Sequence, residues 1–225
     1  SRFAPRVLLA DEVGLGKTIE ACLILHRLHQ SGRAGRILIL VPDALINQWF
    51  IELYRRFQMS FAIYDEERAV AIEAGEDSGN PFFDDQLVIC GTKWLAEDST
   101  RAGQAAEGDW DLLIVDEAHH LEWTPEEASP AYEMVAAIAT KTPGLLLLTA
   151  TPEQLGRNGH FARLRLLDPD RFCDLDEFIK ESDHYQEVSQ LADRLLSGLK
   201  LRKPENALLV KLLGADAAKK LKEDD

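Results

Sequence analysis

Six short, almost unbroken aliphatic runs constrain what this chain can fold into. They are RVLLA (6–10), RILILV (36–41), SFAIYD (60–65), QLVIC (86–90), DLLIVD (111–116) and GLLLLTA (144–150). A strand with one wet face alternates apolar and polar residues, whereas these runs do not, so they predict strands covered on both sides, as in a parallel sheet. Between them lie amphipathic stretches, with helices expected at 17–30, 43–57 and 129–140. The alternation predicts a doubly wound, mainly parallel α/β domain over residues 1–172, with flanking helices. Residues 75–85, GEDSGNPFFDD, read as an exposed acidic loop. From 173 to 225 the strand pattern stops, and charged, helix-forming segments broken by Gly198, Pro204 and Gly214 predict a small helical extension. Ligands of such sheets bind beyond the carboxyl ends of the strands.

The first of those ends carries LLADEVGLGKTIEA (8–21). A strand feeds a glycine-containing loop, and the loop feeds a helix whose free N–H groups and positive dipole end suit a phosphate. Gly14 and Gly16 let the backbone approach an anion. Lys17 has the reach for β- and γ-phosphates, and the Thr18 hydroxyl suits Mg²⁺. The simpler alternative is a glycine turn capped by Thr18. Ala10 replaces the glycine that opens the strict phosphate-loop pattern, and alanine fits there if the strand end keeps a negative φ.

A second element stands at 110–123, WDLLIVDEAHHLEW, an apolar strand ending in two carboxylates. Asp116 is placed to hold Mg²⁺ through water, and Glu117 to polarise an attacking water. One of the two could instead cap a helix. The adjacent His119 and His120 lack cysteine partners and fit hydrogen bonding within the site better than zinc. A third strand end, LTATPEQ (148–154), offers the hydroxyls of Thr149 and Thr151, which could meet His119; a plain strand-to-loop threonine pair is the alternative.

The net charge of −14 argues against nucleic acid until it is divided along the chain. Residues 1–60 carry a balance of +3, residues 61–135 one of −16, and the remainder −1. The acidic segment is a solvated surface or a docking face for a basic partner. Cys22, Cys90 and Cys173 show neither metal nor disulfide spacing and suit a reducing cytoplasm. No apolar run approaches the roughly 20 residues of a membrane span. A first residue of serine, with no leader pattern, is what a piece of a longer polypeptide would show.

The loop, the DEAH turn and LTATPEQ together resemble a superfamily-two helicase-type ATPase, a family that accepts alanine in A-x-x-G-x-G-K-T. VPDALINQW (41–49) and VICGTKWL (88–95) are similar to nucleic-acid-contacting segments of Swi/Snf-type ATPases. TATPEQLGRNGHFARLRLLDPDRF (149–172) looks like the long Swi/Snf signature ending in L-D-P-x-x-F. Over residues 6–190 the likeness points to the bacterial branch associated with RNA polymerase. The resemblance implies the first RecA-like P-loop lobe of a translocase that uses ATP and Mg²⁺ and moves on duplex DNA or RNA without separating strands. It implies association with RNA polymerase, remodelling or recycling of transcription complexes, and a place in the bacterial cytoplasm and nucleoid. It assigns ATP binding to Asp11, Glu12, Val13, Gly14, Leu15, Gly16, Lys17 and Thr18, and catalysis to Lys17, Asp116 and Glu117. Mg²⁺ falls to Thr18 and Asp116, coupling to His119, Thr149 and Thr151, and nucleic-acid contact to Gln48 and Thr92. Trp49, Arg55 and Arg56 lie beside that contact, although a tryptophan at such a position is more often core, and Gln48 could equally be a solvated helix residue. The family completes its site with arginines of a second lobe, which Arg157 and Arg163 do not replace, and with a glutamine segment upstream of the loop. The chain alone is therefore expected to hydrolyse ATP hardly at all. A strand-separating DEAH-type helicase and an acidic docking module for polymerase are the alternatives.

Overall fold

Residues 37–41 contain no polar side chain, and every one of them is buried. Such a segment is stable only between two covering layers, and the computed structural model, which describes residues 4–10, 16–75, 79–150, 156–197 and 201–213, builds both. The strands are β1 (Arg6–Ala10), β2 (Ile37–Val41), β3 (Ala62–Tyr64), β4 (Leu87–Gly91), β5 (Leu112–Val115) and β6 (Gly144–Thr149). They form one sheet in the order β1-β6-β5-β2-β4-β3, and every pairing is parallel. The helices of this part are α1 (Lys17–Gln30), α2 (Ile46–Phe57), α3 (Glu66–Glu73), α4 (Thr92–Glu97), α5 (Ser99–Ala106), α6 (Pro130–Lys141) and α7 (Gly156–Leu167).

The side-chain alternation along each strand sorts the core into two layers. Ile37, Ile39, Val41, Ile114 and Leu148 pack with Cys22, Leu25, Trp49 and Leu53 of α1 and α2. Leu38, Leu40, Leu113 and Leu147 face the other way, onto Leu95, Ala105, Val135, Ile138 and Ala162 of α4 to α7. The expected α/β architecture is present, with four additional helices, α3, α4, α5 and α7. Helices α3, α4 and α5 are too short to show a clear apolar stripe, but Asp65 and Asp98 mark two of their starts. Their carboxylates accept the N–H groups of Arg68 (2.9 Å), and of Thr100 and Arg101 (2.8 and 3.1 Å).

Arg6 ties the sheet edge to two helix ends. Its guanidinium donates to the carbonyls of Leu166 and Leu167 on α7 and of Ala139 and Thr142 at the end of α6, at 2.7 to 3.2 Å. Carbonyls left over at helix C-termini are natural acceptors for a cation, and one side chain serves both.

The expectation of an exposed loop at 75–85 needs correction. Pro81–Phe83 form a turn of 3-10 helix, and Pro81 and Phe82 are buried. The Phe82 ring lies 5.4 Å from Tyr64, 6.2 Å from Trp94 and 6.4 Å from Trp110. Asn80 caps the turn by accepting from Phe82 N–H at 3.0 Å, and Arg36 donates to the Phe82 carbonyl at 2.6 Å. The acidic residues around it hid an apolar anchor.

The chain divides into two compact units, Ser1–Cys173 and Asp174–Asp225. The second contains α8 (Leu175–Leu196), capped by Asp174, and α9 (Lys203–Leu213). Leu191 and Leu209 form its small core with Leu195, Leu201 and Leu208 around them, and Arg194 meets Glu205 at 3.2 Å. Among the described residues no helix is long and apolar enough to cross a membrane.

Phe82→Ala should cost about 3–5 kcal/mol in denaturant unfolding, the loss typical of a buried aromatic. A change within about 0.5 kcal/mol, as for a surface residue, would contradict the burial.

Candidate functional site

Parallel pairing carries the carboxyl ends of β1, β6, β5 and β2 to one edge of the sheet, with Ala10 opposite Thr149, and Val115 opposite both Leu147 and Leu40. A cleft of about 350 Å³ opens there. Its walls are residues 16–19 from the start of α1, Asp116 and Glu117 after β5, Ala150 after β6, and a stripe from α2 and the turn before it. A larger hollow of about 1030 Å³ lies beside Tyr132, Arg165 and Phe172, remote from all of these groups. Size does not decide between the two; the convergence of a helix N-terminus with two carboxylates does.

Gly16 caps α1 with φ 89°, a left-handed backbone that glycine adopts without strain. Lys17 and Thr18 then occupy the first turn, where helix N–H groups are unpaired. Asp11, Glu12, Val13, Gly14 and Leu15 lie outside the described residues, as does Thr151.

Asp116 is fixed at three points. Its N–H continues the sheet ladder to the Leu40 carbonyl (2.9 Å), Oδ1 accepts from Glu117 N–H (2.8 Å), and Oδ2 accepts from the indole N–H of Trp49 (2.8 Å). Trp49 is only 1% exposed, so its ring is core while its polar edge reaches the site. Glu117 has φ 49° and ψ 43°, left-handed values that are unusual for a residue with a Cβ. Strained backbone of this kind costs about 1–3 kcal/mol and concentrates at functional positions.

The turn after Glu117, Ala118–His120, is held from behind by Arg163 of α7. That guanidinium, 1% exposed, donates to the carbonyls of Ala118 and His119 at 3.0 Å each and to Gly159. Burial pulls the arginine below its usual pKa. His119 also titrates below the ordinary histidine range, first from burial and then from His120, whose ring is 4.0 Å away. His119 Nδ1 is 3.0 Å from Glu117 Oε2 but out of line for a hydrogen bond. Among the described residues the buried Thr149 hydroxyl has no hydrogen-bond partner, so the expected Thr149–His119 bond is not made here.

The remaining sequence candidates fall in different places. Gln48 is exposed and lines the cleft, and Arg56 lines it too while pairing with Glu52 at 2.5 Å. The Thr92 hydroxyl is turned inward and has no partner among the described residues, and Arg55 is exposed. Beside Thr92, a Cβ on Gly91 would sit 1.9 Å from Asp43 Oδ1, so the segments 41–49 and 88–95 touch there and any larger residue would have to displace the Asp43 carboxylate. Glu52 was not among the residues singled out from sequence. The spacing of Leu45, Gln48, Trp49, Glu52 and Arg56, one helical stripe, was the signal that could have found it. The chemistry of the donor set fits magnesium. A hydroxyl and a carboxylate of hard oxygen converge, which with phosphate oxygens and water is how Mg²⁺ is usually held. Among the described residues no group of three His, Cys, Asp or Glu side chains gathers as a metal cluster.

Comparison with known proteins places the chain in a family and the sheet in a known fold. The model of the SNF2-related domain matches residues 4–220. The chain is similar to the RNA polymerase-associated protein RapA of Photobacterium profundum, with 56% identity over 212 residues. That match covers 94% of this chain and 22% of the relative, so the chain spans about a fifth of that protein's length. The fold is similar to the SWI2/SNF2 ATPase core of Sulfolobus solfataricus in complex with dsDNA, at TM-score 0.61 and 16% identity, covering 96% of this chain and 53% of that one. The SWI2/SNF2 ATPase core domain of the same organism gives TM-score 0.59 and 20% identity, covering 82% and 34%.

Glycine at 117 should relieve the left-handed strain. Glu117→Gly is expected to raise the unfolding free energy by about 0.5–1 kcal/mol, while Glu117→Ala brings no gain. Chemical denaturation of the two variants checks this, and equal stabilities would show that the position is unstrained.

Proposed function

The chain belongs to the SNF2-related domain family, and from that membership we propose that it is the first ATPase lobe of a nucleic-acid translocase working with RNA polymerase. The observation that carries the reading is the cleft shared by Lys17 and Thr18 on one side and Asp116 and Glu117 on the other. In this reading the α1 N-terminus and Lys17 bind the β- and γ-phosphates of ATP. The Thr18 hydroxyl and the Asp116 carboxylate hold Mg²⁺, which when bound offsets phosphate charge. Glu117, kept beside Asp116 by its left-handed backbone, accepts a proton from the attacking water.

His119, Thr149 and Thr151 pass the nucleotide state to the rest of the protein. The Arg163 hydrogen bonds support a mechanical route, because α7 cannot shift without pulling on the turn after Glu117. Duplex DNA is the proposed track, supported by the dsDNA complex of the Sulfolobus protein of similar fold. Gln48 and Thr92 are the proposed nucleic-acid contacts, although Gln48 also lines the nucleotide cleft. Association with RNA polymerase, recycling of transcription complexes and a bacterial cytoplasmic location rest on the likeness to RapA.

In this reading the family's second lobe supplies the remaining arginines of the site. An arginine supplied across such a cleft is worth ~10³–10⁵ in rate, so the chain alone should hydrolyse ATP very slowly. ATPase assays on the parent protein with duplex DNA test the reading. Lys17→Ala and Glu117→Gln should each lower turnover by about 100-fold or more, while pull-down of RNA polymerase is retained. Undiminished turnover in either variant would remove that residue from the site.

A further inference from the structure

We propose that Trp49 is a positioning residue for Asp116: its indole N–H fixes the rotation at which that carboxylate meets a nucleotide-bound magnesium ion. The inference rests on the ATP-hydrolysing reading above and adds a residue to it.

A buried tryptophan needs a partner for its single N–H, and backbone carbonyls are the common choice. Trp110 shows that choice within the same fold, donating to the Ala105 carbonyl at 2.8 Å. Trp49 donates instead to a carboxylate that faces the cleft. The Asp116 backbone is held by the ladder bond to Leu40, yet that bond leaves the carboxylate free to turn about its terminal torsion. The Glu117 N–H engages Oδ1, and the indole engages Oδ2 from the opposite wall. With both oxygens engaged the plane is set, and each oxygen keeps lone-pair capacity for a cation or its water.

The choice of donor matters. A lysine or arginine at this place would neutralise the carboxylate and compete with the metal. Indole is a neutral donor with no acceptor, so it orients the anion without discharging it. Its ring is immobile, because Leu53 of α2 and Ala21, Cys22 and Leu25 of α1 belong to the same buried cluster.

The test is equilibrium binding of fluorescent ADP to the chain, with and without Mg²⁺. Trp49→Phe keeps the buried ring and removes only the N–H. We expect its Mg²⁺-free affinity to stay within about twofold of wild type and its affinity with Mg²⁺ to fall by about tenfold. That is the low end of what outer-sphere partners of metal ligands are worth. Adding Asp116→Ala to Trp49→Phe should cost no more than Asp116→Ala alone, as for two groups acting through one contact. Equal losses with and without Mg²⁺, or no loss in either, would overturn the positioning role while leaving the nucleotide site in place. Failure of the wild-type chain to bind nucleotide at all would overturn the ATPase reading and this inference with it. If Trp49→Phe does not fold, nitrogen-15 spectra of the wild-type chain answer the question. One indole resonance should move when magnesium and ADP are added together and should be displaced in Asp116→Ala. Indole resonances unmoved by both would refute the inference.

Discussion

Parallel pairing is the constraint from which the rest follows. Parallel strands have every connection crossing from one end of the sheet to the other, so all carboxyl ends emerge along a single edge. The registers of β1 with β6, β6 with β5, and β5 with β2 bring Ala10, Thr149, Val115 and Val41 to that edge. Residues that follow the strands there, at 16–19, 45, 48–49, 116–117 and 150, line one cleft. The cleft results from strand direction before any side chain is considered.

Side chains then stiffen what the sheet has gathered. Asp116 is bonded through its backbone to β2 and through its carboxylate to the helix that follows β2. The turn behind it hangs from Arg163, and β1 hangs from α6 and α7 through Arg6. Both arginines give their N–H groups to backbone carbonyls, and both sit below the usual arginine pKa because burial disfavours the charge. Charged donors to carbonyls make stronger hydrogen bonds than neutral ones, and removing either would leave several acceptors unpaired. The site is therefore anchored to the same layer of helices that closes the core on that side.

Local patterns determined much of this protein from the sequence alone. β1 spans Arg6–Ala10 and α1 spans Lys17–Gln30, the expected limits of both, because an aliphatic run and a long amphipathic stripe need only their neighbours in sequence. The meeting of the α1 start, at Lys17 and Thr18, with the acidic end of β5 was likewise readable, since each is defined by residues within a few positions. The tertiary structure alone decided which residues reach across. Phe82 reads as part of an acidic loop until Tyr64, Trp94 and Trp110 close around it. Trp49 reads first as a core residue, and its polar task is invisible until the sheet brings Asp116, 67 positions away, to its N–H. Arg163 has no visible task until its helix docks on carbonyls 44 and 45 positions earlier. A period of two or of 3.6 residues reports which face of an element is covered, but not what covers it, because that partner is chosen by strand order and register.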